Sequence, residues 1–266
     1  MNKITASFHE PNDNKSFNEL PISRQTFLGK GVLGNVSFAI NNNLADWHIV
    51  GTWTDNIEAL EGKKIIYMQQ EPPEIRCPSK NILDKCKVAL TFFYIDHDIP
   101  QEILPPALQW TYDIIANSIQ GKGHVYEKEN NQNLDDMLFS PIPKKIKKCS
   151  IIISSKVMTE GHKKRIIFLN ELKNYFKNEI DIFGFGFNPI KNKKDAIDPY
   201  QFSIALENKI MNNWWTEKIA DVFLGYSCPI YSGCPNIADF FDPSSFVSIN
   251  YENIDESLEI IKTALN

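Results

Sequence analysis

The stretch that decides the fold is Tyr200–Pro235, with the sequence YQFSIALENKIMNNWWTEKIADVFLGYSCPIYSGCP. Its first apolar run, from Phe202 to Leu206, is typical of a buried strand. Apolar side chains then recur at helical spacing, at Ile219, Ala220, Val222, Phe223 and Leu224. A second strand is predicted from Cys228 to Tyr231. A strand, a helix and a strand in succession predict a parallel sheet.

Polar residues occupy the point where the first strand ends. Glu207 and Asn208 follow the strand directly, and Thr216, Glu217 and Lys218 open the helix. We predict Thr216 to be the N-cap. A helix N-terminus exposes N–H groups and a partial positive charge, so a phosphate can bind there beside a lysine. The alternative is a capped surface helix with solvated charges. An isolated TEK sequence more often belongs to such a helix than to a binding site.

These polar residues belong to a longer sequence pattern. The sequence ENKIMNNWWTEKIADVFLGYSCPIYSGCPNIADFFDPSSFVSI resembles the donor-binding signature of the α-1,3/4-fucosyltransferases, glycosyltransferase family 10. In that family FSIAFEN is followed by a short gap, TEKI, a helix, PVYWG and a strand that contains SFI. The resemblance covers residues 200–250 almost without a gap. It implies an α/β fold of the GT-B type, with two Rossmann-like domains facing across a cleft.

The rest of the chain is consistent with two domains. Its 266 residues, 42% of them hydrophobic, can bury one large core or two small ones of about 100 to 150 residues each. A turn-rich segment, ENNQNLDD, precedes FSPIPKKIKKCS and the apolar run Ile151–Ile153. This shift in composition predicts a boundary. We expect an N-terminal acceptor-binding domain over residues 1–145 and a C-terminal donor-binding domain over residues 146–266.

Alternating patterns predict the remaining elements. In the C-terminal half, we expect further strands at Cys149–Ser154, at Ile180–Phe183 and at Phe246. We expect helices there over His162–Lys177, from Glu217, and over Glu256–Ala264. In the N-terminal half, strands are expected at Ile4–His9, Trp47–Gly51, Lys64–Met68 and Val88–Tyr94. The prolines between Leu104 and Leu108 predict a turn or the start of a helix.

Glu71 is the candidate catalytic residue of the N-terminal half. It follows the strand KKIIYMQQ and opens EPPE, and ligands collect at the carboxyl ends of parallel strands. Its place before prolines resembles the ESP segment of the family, and TFFYIDHDI is similar to the family's SYRxDSDI. The resemblance implies that Glu71 is the base that takes the proton of the acceptor hydroxyl. Taken alone, a carboxylate in a loop is more often a solvated turn residue.

The resemblance also implies a donor site in the C-terminal half. Arg165 and Lys218 would stabilise the departing diphosphate, which gains negative charge as it leaves. Glu217 would accept hydrogen bonds from ribose or sugar hydroxyls, and Asn208 would bind the fucose or the diphosphate. For Arg165 the alternative is that the sequence KKR forms a solvated helix face.

Two further residues complete this expected donor set. Thr216 belongs to it as the N-cap of the helix. Trp214 occupies a position where relatives often have tyrosine. Its indole could stack on a sugar or a base, and ordinary packing in the core is the alternative.

A metal is not required in this scheme. The triplet of Asp96, His97 and Asp98 suits Mn²⁺ by its ligand types, but it aligns with the family's DSD. With Lys218 and Arg165 available to balance the diphosphate, we expect no obligatory cofactor. Stimulation by Mn²⁺ or Mg²⁺ stays open.

A second motif is a weaker candidate. Gly29, Gly31 and Gly34 spell GxGxxG, and Asp55 follows near the distance expected for a ribose-binding acid. No convincing strand precedes the glycines, so the strand, turn and helix of a dinucleotide site are missing. We interpret the segment as a loop near the acceptor.

Composition excludes other classes of function. The net charge is −5, and neither half is basic enough for a nucleic-acid partner. The five cysteines lack CxxC spacing, which is typical of reduced core or turn residues. The first residues, MNKITASFHEPNDNKSF, contain neither a signal peptide nor a membrane-length apolar segment. We expect a cytoplasmic protein, and a peripheral location at the inner membrane stays open.

These inferences combine into one hypothesis. The chain is expected to be an inverting bacterial fucosyltransferase that moves L-fucose from GDP-β-L-fucose to a glycan hydroxyl, in α-1,3 linkage to GlcNAc or glucose. The alternatives are a GT-B enzyme that uses another nucleotide sugar and a non-catalytic binder of nucleotide sugars. Three departures from the family pattern bear on this: Ile95 replaces an arginine, PVYWG has become PIYSG, and the chain ends at Asn266, before the helices with which relatives continue.

Overall fold

The computed structural model describes residues 3–9, 24–54, 57–106, 108–119, 123–126 and 132–266. The chain divides into two compact units. The N-terminal unit comprises Met1–Gln109 and Ala116–Ser140, and the C-terminal unit comprises Trp110–Ile115 and Pro141–Asn266. The composition shift predicts a division between residues 145 and 146, which is five residues after the observed division between Ser140 and Pro141. The segment Trp110–Ile115, which that division left in the N-terminal domain, belongs to the C-terminal unit.

The C-terminal unit is built on a parallel sheet of five strands in the order β11-β10-β12-β13-β14. Its strands are β10 (Lys147–Ile152), β11 (Ile180–Phe183), β12 (Tyr200–Leu206), β13 (Cys228–Ser232) and β14 (Val247–Ser248). Its helices are α3 (Glu160–Phe176), α4 (Glu217–Leu224) and α5 (Ile254–Leu265). The order of strands reverses between β10 and β12, and ligands of such sheets bind at the carboxyl edge of that reversal.

Helices cover both faces of this sheet. Ile204 of β12 belongs to the buried cluster that contains Phe168 of α3 and Ile261 of α5. The next residue, Ala205, points to the other face and belongs to the cluster that contains Ile219 of α4. Successive side chains of a strand alternate between faces, so a strand covered on both sides is apolar at most positions. Ser203 is the exception in this run, and its buried hydroxyl makes a hydrogen bond with that of Ser150. This is why the run from Phe202 to Leu206 identified β12.

The N-terminal unit contains a sheet of seven strands in the order β2-β3-β1-β4-β5-β6-β7, in which only the β2–β3 pair is antiparallel. The strands are β1 (Ile4–His9), β2 (Val32–Leu33), β3 (Val36–Ile40), β4 (Trp47–Gly51), β5 (Ile65–Met68), β6 (Val88–Thr91) and β7 (Gln101–Ile103). Smaller elements are α1 (Lys80–Leu83), the antiparallel pair β8 (Ala116–Ile119) and β9 (Gly123–Tyr126), and α2 (Leu134–Phe139). Here the strand order reverses between β1 and β4.

A buried carboxylate attaches the segment Trp110–Ile115 to the C-terminal unit. Asp221 of α4 accepts hydrogen bonds from the backbone N–H groups of Thr111 and Tyr112, at 2.7 and 2.8 Å, and from the Thr111 hydroxyl at 2.8 Å. Lys193 Nζ lies 2.6 Å from the same carboxylate. The segment therefore packs with α4, although it precedes the rest of its unit in the chain.

Several expected elements differ from the observed ones. The strand expected over Val88–Tyr94 ends at Thr91, and β7 was not predicted at all. The described residues between Leu104 and Leu108 contain no helix. Gly34, the last glycine of GxGxxG, lies in the turn between β2 and β3, and it has a φ of 60°. A hairpin without a following helix is not a dinucleotide-binding motif, and Asp55 lies outside the described residues.

Candidate functional site

The candidate donor site lies at the carboxyl edge of the C-terminal sheet, beside the reversal of strand order. Asn208 follows the end of β12, and α4 begins at Glu217. Thr216 is the N-cap of α4, as predicted, and its hydroxyl accepts the backbone N–H of Lys218. The predicted set of polar residues after β12 and at the start of α4 is therefore assembled in one place.

Glu207 supports this edge from within the core. Its side chain is fully buried, and it accepts hydrogen bonds from the Thr216 N–H at 2.8 Å and the Thr216 hydroxyl at 2.9 Å. Lys218 Nζ lies 3.2 Å from its Oε2. Burial raises the pKa of Glu207, and the neighbouring Lys218 opposes that rise. Glu207 thus fixes the start of α4, a role that its place after a strand did not reveal.

A glycine makes room for that buried carboxylate. A Cβ atom at Gly233 would stand 2.3 Å from Glu207 Cγ. The preceding residue, Ser232, replaces the tryptophan of the family's PVYWG sequence. Its hydroxyl accepts the backbone N–H of Tyr251 at 3.2 Å, and its carbonyl accepts the backbone N–H of Glu207 at 2.8 Å. The glycine of PIYSG is therefore required by packing.

Charged groups of both signs meet at the solvent side of this edge. Glu217 Oε1 lies 3.5 Å from Lys218 Nζ and 3.9 Å from Lys193 Nζ. Burial opposes ionisation of Glu217, but the two ammonium groups outweigh it and lower its pKa to about 2. The pKa of Lys218 is raised, because the carboxylates of Glu207 and Glu217 outweigh the opposing effect of burial. Glu217 is thus an ionised acceptor and Lys218 a charged donor at neutral pH.

Arg165 projects from α3 toward the same strand end. It is 6% exposed, and its Nη1 donates to the carbonyl of Leu206 at 3.1 Å. Its Nε has no hydrogen-bond partner among the described residues. Burial lowers the pKa of the guanidinium, and Glu207 opposes that effect. The solvated helix face that was the alternative for this arginine does not fit its burial.

His162, one turn before Arg165 on α3, is a neighbour that the sequence did not single out. Its Nδ1 lies 2.6 Å from the hydroxyl of Thr159, the N-cap of α3. Burial, together with the charges of Arg165 and Lys218, lowers the pKa of His162 to about 4. The imidazole is therefore neutral at physiological pH and adds no charge to the site.

Asn208 lies where α3 touches the end of β12. A Cβ atom at Gly161 would stand 1.8 Å from the Asn208 carbonyl oxygen, so only glycine permits this approach. The Asn208 Oδ1 is buried and has no hydrogen-bond partner among the described residues. A buried polar atom in that condition is costly unless a ligand or water supplies a partner.

The other two residues of the predicted donor set are buried in the interior of the unit. Trp214 is 1% exposed, which agrees with the packing alternative and leaves no ring face for stacking on a ligand. Thr216 is 2% exposed, and its hydroxyl is engaged by Glu207 and Lys218. The burial of Trp214 thus favours the packing alternative, and Thr216 has the N-cap position that was expected of it.

Glu71 belongs to the N-terminal unit and is half-buried. Gln69 directly follows β5, and its side-chain amide donates to the carbonyl of Glu71 at 2.5 Å and to that of Arg76 at 2.8 Å. The Tyr67 hydroxyl donates to the Gln69 Oε1. Gln69 is 1% exposed. A buried amide thus holds the backbone of the loop that presents Glu71.

The triplet of Asp96, His97 and Asp98 lies in a bend between β6 and β7. His97 Nε2 lies 3.0 Å from Asp84 Oδ1, and its Nδ1 accepts the backbone N–H of Ile99. Asp96 and Asp98 are exposed. In the part of the chain that the structure describes, no three acidic, histidine or cysteine side chains come together as metal ligands.

Residues 142–263 match the family model described as glycosyltransferase family 10 (fucosyltransferase) C-term. The α-(1,3)-fucosyltransferase FucT of Helicobacter pylori is 38% identical over 78 residues. That match spans 29% of this chain but only 16% of the length of this curated relative. The matched residues 142–263 include every residue of the candidate donor site.

Solved structures place the whole chain in the same fold. A crystal structure of α1,3-fucosyltransferase aligns with a TM-score of 0.58 at 18% identity, over 98% of this chain and 78% of the other. A crystal structure of α1,3-fucosyltransferase with GDP-fucose aligns with the same TM-score at 19% identity. The fold is therefore of the expected GT-B type. No helix among the described residues is long and apolar enough to cross a bilayer.

Proposed function

We propose that this chain is an inverting glycosyltransferase that transfers L-fucose from GDP-β-L-fucose to a hydroxyl of a glycan acceptor. The observation that carries the proposal is Lys218, held between Glu207 and Glu217 at the start of α4, within the residues that match the family 10 model. A fixed cation at a helix N-terminus suits a diphosphate, because the backbone N–H groups and the ammonium attract the same anion.

Each residue of the donor site has a role in this proposal. Lys218 and the buried Arg165 neutralise the β-phosphate as the bond between it and the fucose C1 breaks. Glu217, ionised at neutral pH, accepts hydrogen bonds from hydroxyl groups of the donor. The Asn208 Oδ1, which lacks a partner among the described residues, accepts another donor hydroxyl.

Glu71 is the proposed base. Its carboxylate takes the proton of the acceptor hydroxyl while the acceptor oxygen bonds to fucose C1, and GDP leaves with the electron pair of the broken bond. Attack opposite the leaving group turns a β-linked donor into an α-linked product. The N-terminal unit supplies the acceptor site in this scheme, and the linkage is α-1,3 to GlcNAc or glucose. A cytoplasmic location in a bacterium completes the proposal.

Donor choice can be measured by thermal unfolding. GDP at about 100 times its Kd is expected to add about 2.7 kcal/mol to the free energy of unfolding, because it binds only the folded state. We expect GDP and GDP-fucose to raise Tm more than UDP or UDP-sugars do. Lys218→Met should reduce the shift with GDP, and Lys262→Met, on the exposed face of α5, should not.

The same panel separates the alternatives. A UDP-sugar that raises Tm more than GDP-fucose would establish a different nucleotide sugar. A strong shift with GDP but no GDP release with any acceptor would favour a binding protein without turnover.

Metal removal is a further test. Lys218 and Arg165 provide fixed positive charge for the leaving group, so we expect EDTA to change kcat less than about two-fold. Removal of an essential metal ion would instead remove several kcal/mol of transition-state stabilisation. Addition of Mn²⁺ or Mg²⁺ after EDTA measures any stimulation. Complete loss of transfer in EDTA, restored by Mn²⁺, would contradict the proposed charge balance.

A further inference from the structure

Lys193 contacts two carboxylates of α4. Its Nζ lies 2.6 Å from Asp221 Oδ2 and 3.9 Å from Glu217 Oε1. Asp221 and Glu217 are four residues apart in the helix, so their side chains lie on the same face of α4. Lys193 therefore joins a carboxylate of the interior to a carboxylate of the candidate donor site.

The interior carboxylate holds the ammonium group of Lys193 in place. The Asp221 side chain is 2% exposed, and it also accepts the hydrogen bonds from Thr111 and Tyr112 that attach the segment Trp110–Ile115. Hydrogen bonds to a charged acceptor are stronger than those between neutral groups. The Lys193 ammonium thus has a fixed position beside the donor site.

The backbone of Lys193 is attached to the same segment. Lys193 begins a short 3-10 turn, Lys193–Ala196, whose N-cap is Asn192. The Asn192 side chain donates to Asp113 Oδ1 at 2.7 Å and accepts the backbone N–H of Lys194 at 3.0 Å. Both ends of the Lys193 side chain are therefore fixed by contacts with Trp110–Ile115 or with its anchor, Asp221.

The ammonium of Lys218 has no donor to spare. An ammonium group has three N–H donors, and the Lys218 Nζ lies 2.9 Å from Thr216 Oγ1, 3.2 Å from Glu207 Oε2 and 3.5 Å from Glu217 Oε1. A diphosphate oxygen must displace one of these partners. Glu207 is fully buried, and an unpaired buried carboxylate is costly. Glu217, at the longest distance, is the partner that Lys218 releases.

We propose that Lys193 is a positioning residue of the donor site, which keeps the Glu217 carboxylate paired and in place when Lys218 turns to the diphosphate. Lys193 acts through Glu217 and not by contact with the donor. Without Lys193, the released carboxylate would be an unpaired anion beside a second anion. The inference rests on the proposed function, which assigns the diphosphate to Lys218.

Calorimetry with GDP as the probe tests this role. Lys193→Met should raise the Kd for GDP by about five-fold, which corresponds to the upper end for a partly exposed ion pair. Lys193→Arg keeps the charge and should stay within about two-fold of wild type. Thr111→Val is the matched control, because it removes one hydrogen bond to Asp221 but leaves Lys193 beside Glu217. Its Kd should also stay within about two-fold.

A double-mutant cycle separates positioning from a purely structural role. In a Glu217→Gln background, Lys193→Met should change the Kd less than about two-fold, because the carboxylate that it positions is gone. The same five-fold rise in both backgrounds would overturn the proposal. If Lys193→Met fails to fold because Asp221 is left unpaired, the cycle is measured in an Asp221→Asn background, which removes that buried charge.

The outcome is distinguishable from failure of the proposed function. Wild-type protein that does not bind GDP would refute the proposed donor, and carbon-13 NMR titration of the Glu217 carboxyl in the free protein then decides the role of Lys193. The pKa of Glu217, about 2 in wild type, should rise toward its ordinary value in Lys193→Met and stay unchanged in Thr111→Val. An equal pKa in Lys193→Met and wild type would reject the positioning role.

Discussion

Replacement of Glu71 by glutamine is expected to lower kcat for fucose transfer by about 10² to 10⁴-fold, the usual contribution of a general base. The amide keeps the shape of the side chain but cannot accept the proton of the acceptor hydroxyl. GDP affinity, measured by calorimetry, should stay unchanged, because the proposed donor site belongs to the other unit.

Glu74→Gln is the matched control for this variant. Glu74 is an exposed glutamate in the same loop, and its change should leave kcat within about two-fold, as is usual for surface substitutions. A Glu71→Gln protein that keeps more than half of the wild-type activity would show that the base lies elsewhere.

The second large effect is expected at Glu207. Glu207→Ala should lower the free energy of unfolding by about 3–5 kcal/mol, the usual cost of removing one partner of a buried ion pair. The substitution leaves the Thr216 N–H without its acceptor and Lys218 without its nearer carboxylate. Because the start of α4 is then unsupported, GDP affinity should fall as well. Denaturant unfolding and calorimetry measure the two effects.

The exposed pair of Glu259 and Lys262 on α5 provides the control. Glu259→Ala should change stability by less than about 0.5 kcal/mol, because exposed ion pairs contribute little. A double-mutant cycle of Glu207→Ala with Lys218→Met should give a larger coupling than the equivalent cycle on α5. Equal stability of Glu207→Ala and Glu259→Ala would contradict the supporting role of Glu207.

The strands predicted best from the sequence are β1, β4 and β11, which have the expected bounds. Each is a short segment in which apolar residues such as Ile49, Ile180 and Ile182 recur, and that is the local signal of a strand. β7 could not be predicted from a hydrophobic pattern. It is an edge strand whose last two residues are exposed, so it has no hydrophobic pattern, and it forms because β6 offers free backbone groups.

In the candidate site, features that depend on adjacent residues could be predicted from the sequence, and features that depend on distant residues could not. Thr216 was predictable as an N-cap, because capping depends on a few adjacent residues. Asp221 was not, because its partner Thr111 lies 110 residues away in the chain. Trp214 was ambiguous for a similar reason, since an indole near a helix start can face a ligand or the core, and only its burial in the folded chain favours the core.

The central claim is that fucose passes from GDP-β-L-fucose to a glycan with inversion at C1. Proton NMR of the reaction with N-acetyllactosamine tests it most directly, because the coupling constant at fucose C1 distinguishes the two anomers. We predict an α-linked fucoside formed in equal amount with GDP. A β-linked product, or transfer from another nucleotide sugar but not from GDP-fucose, would contradict the account.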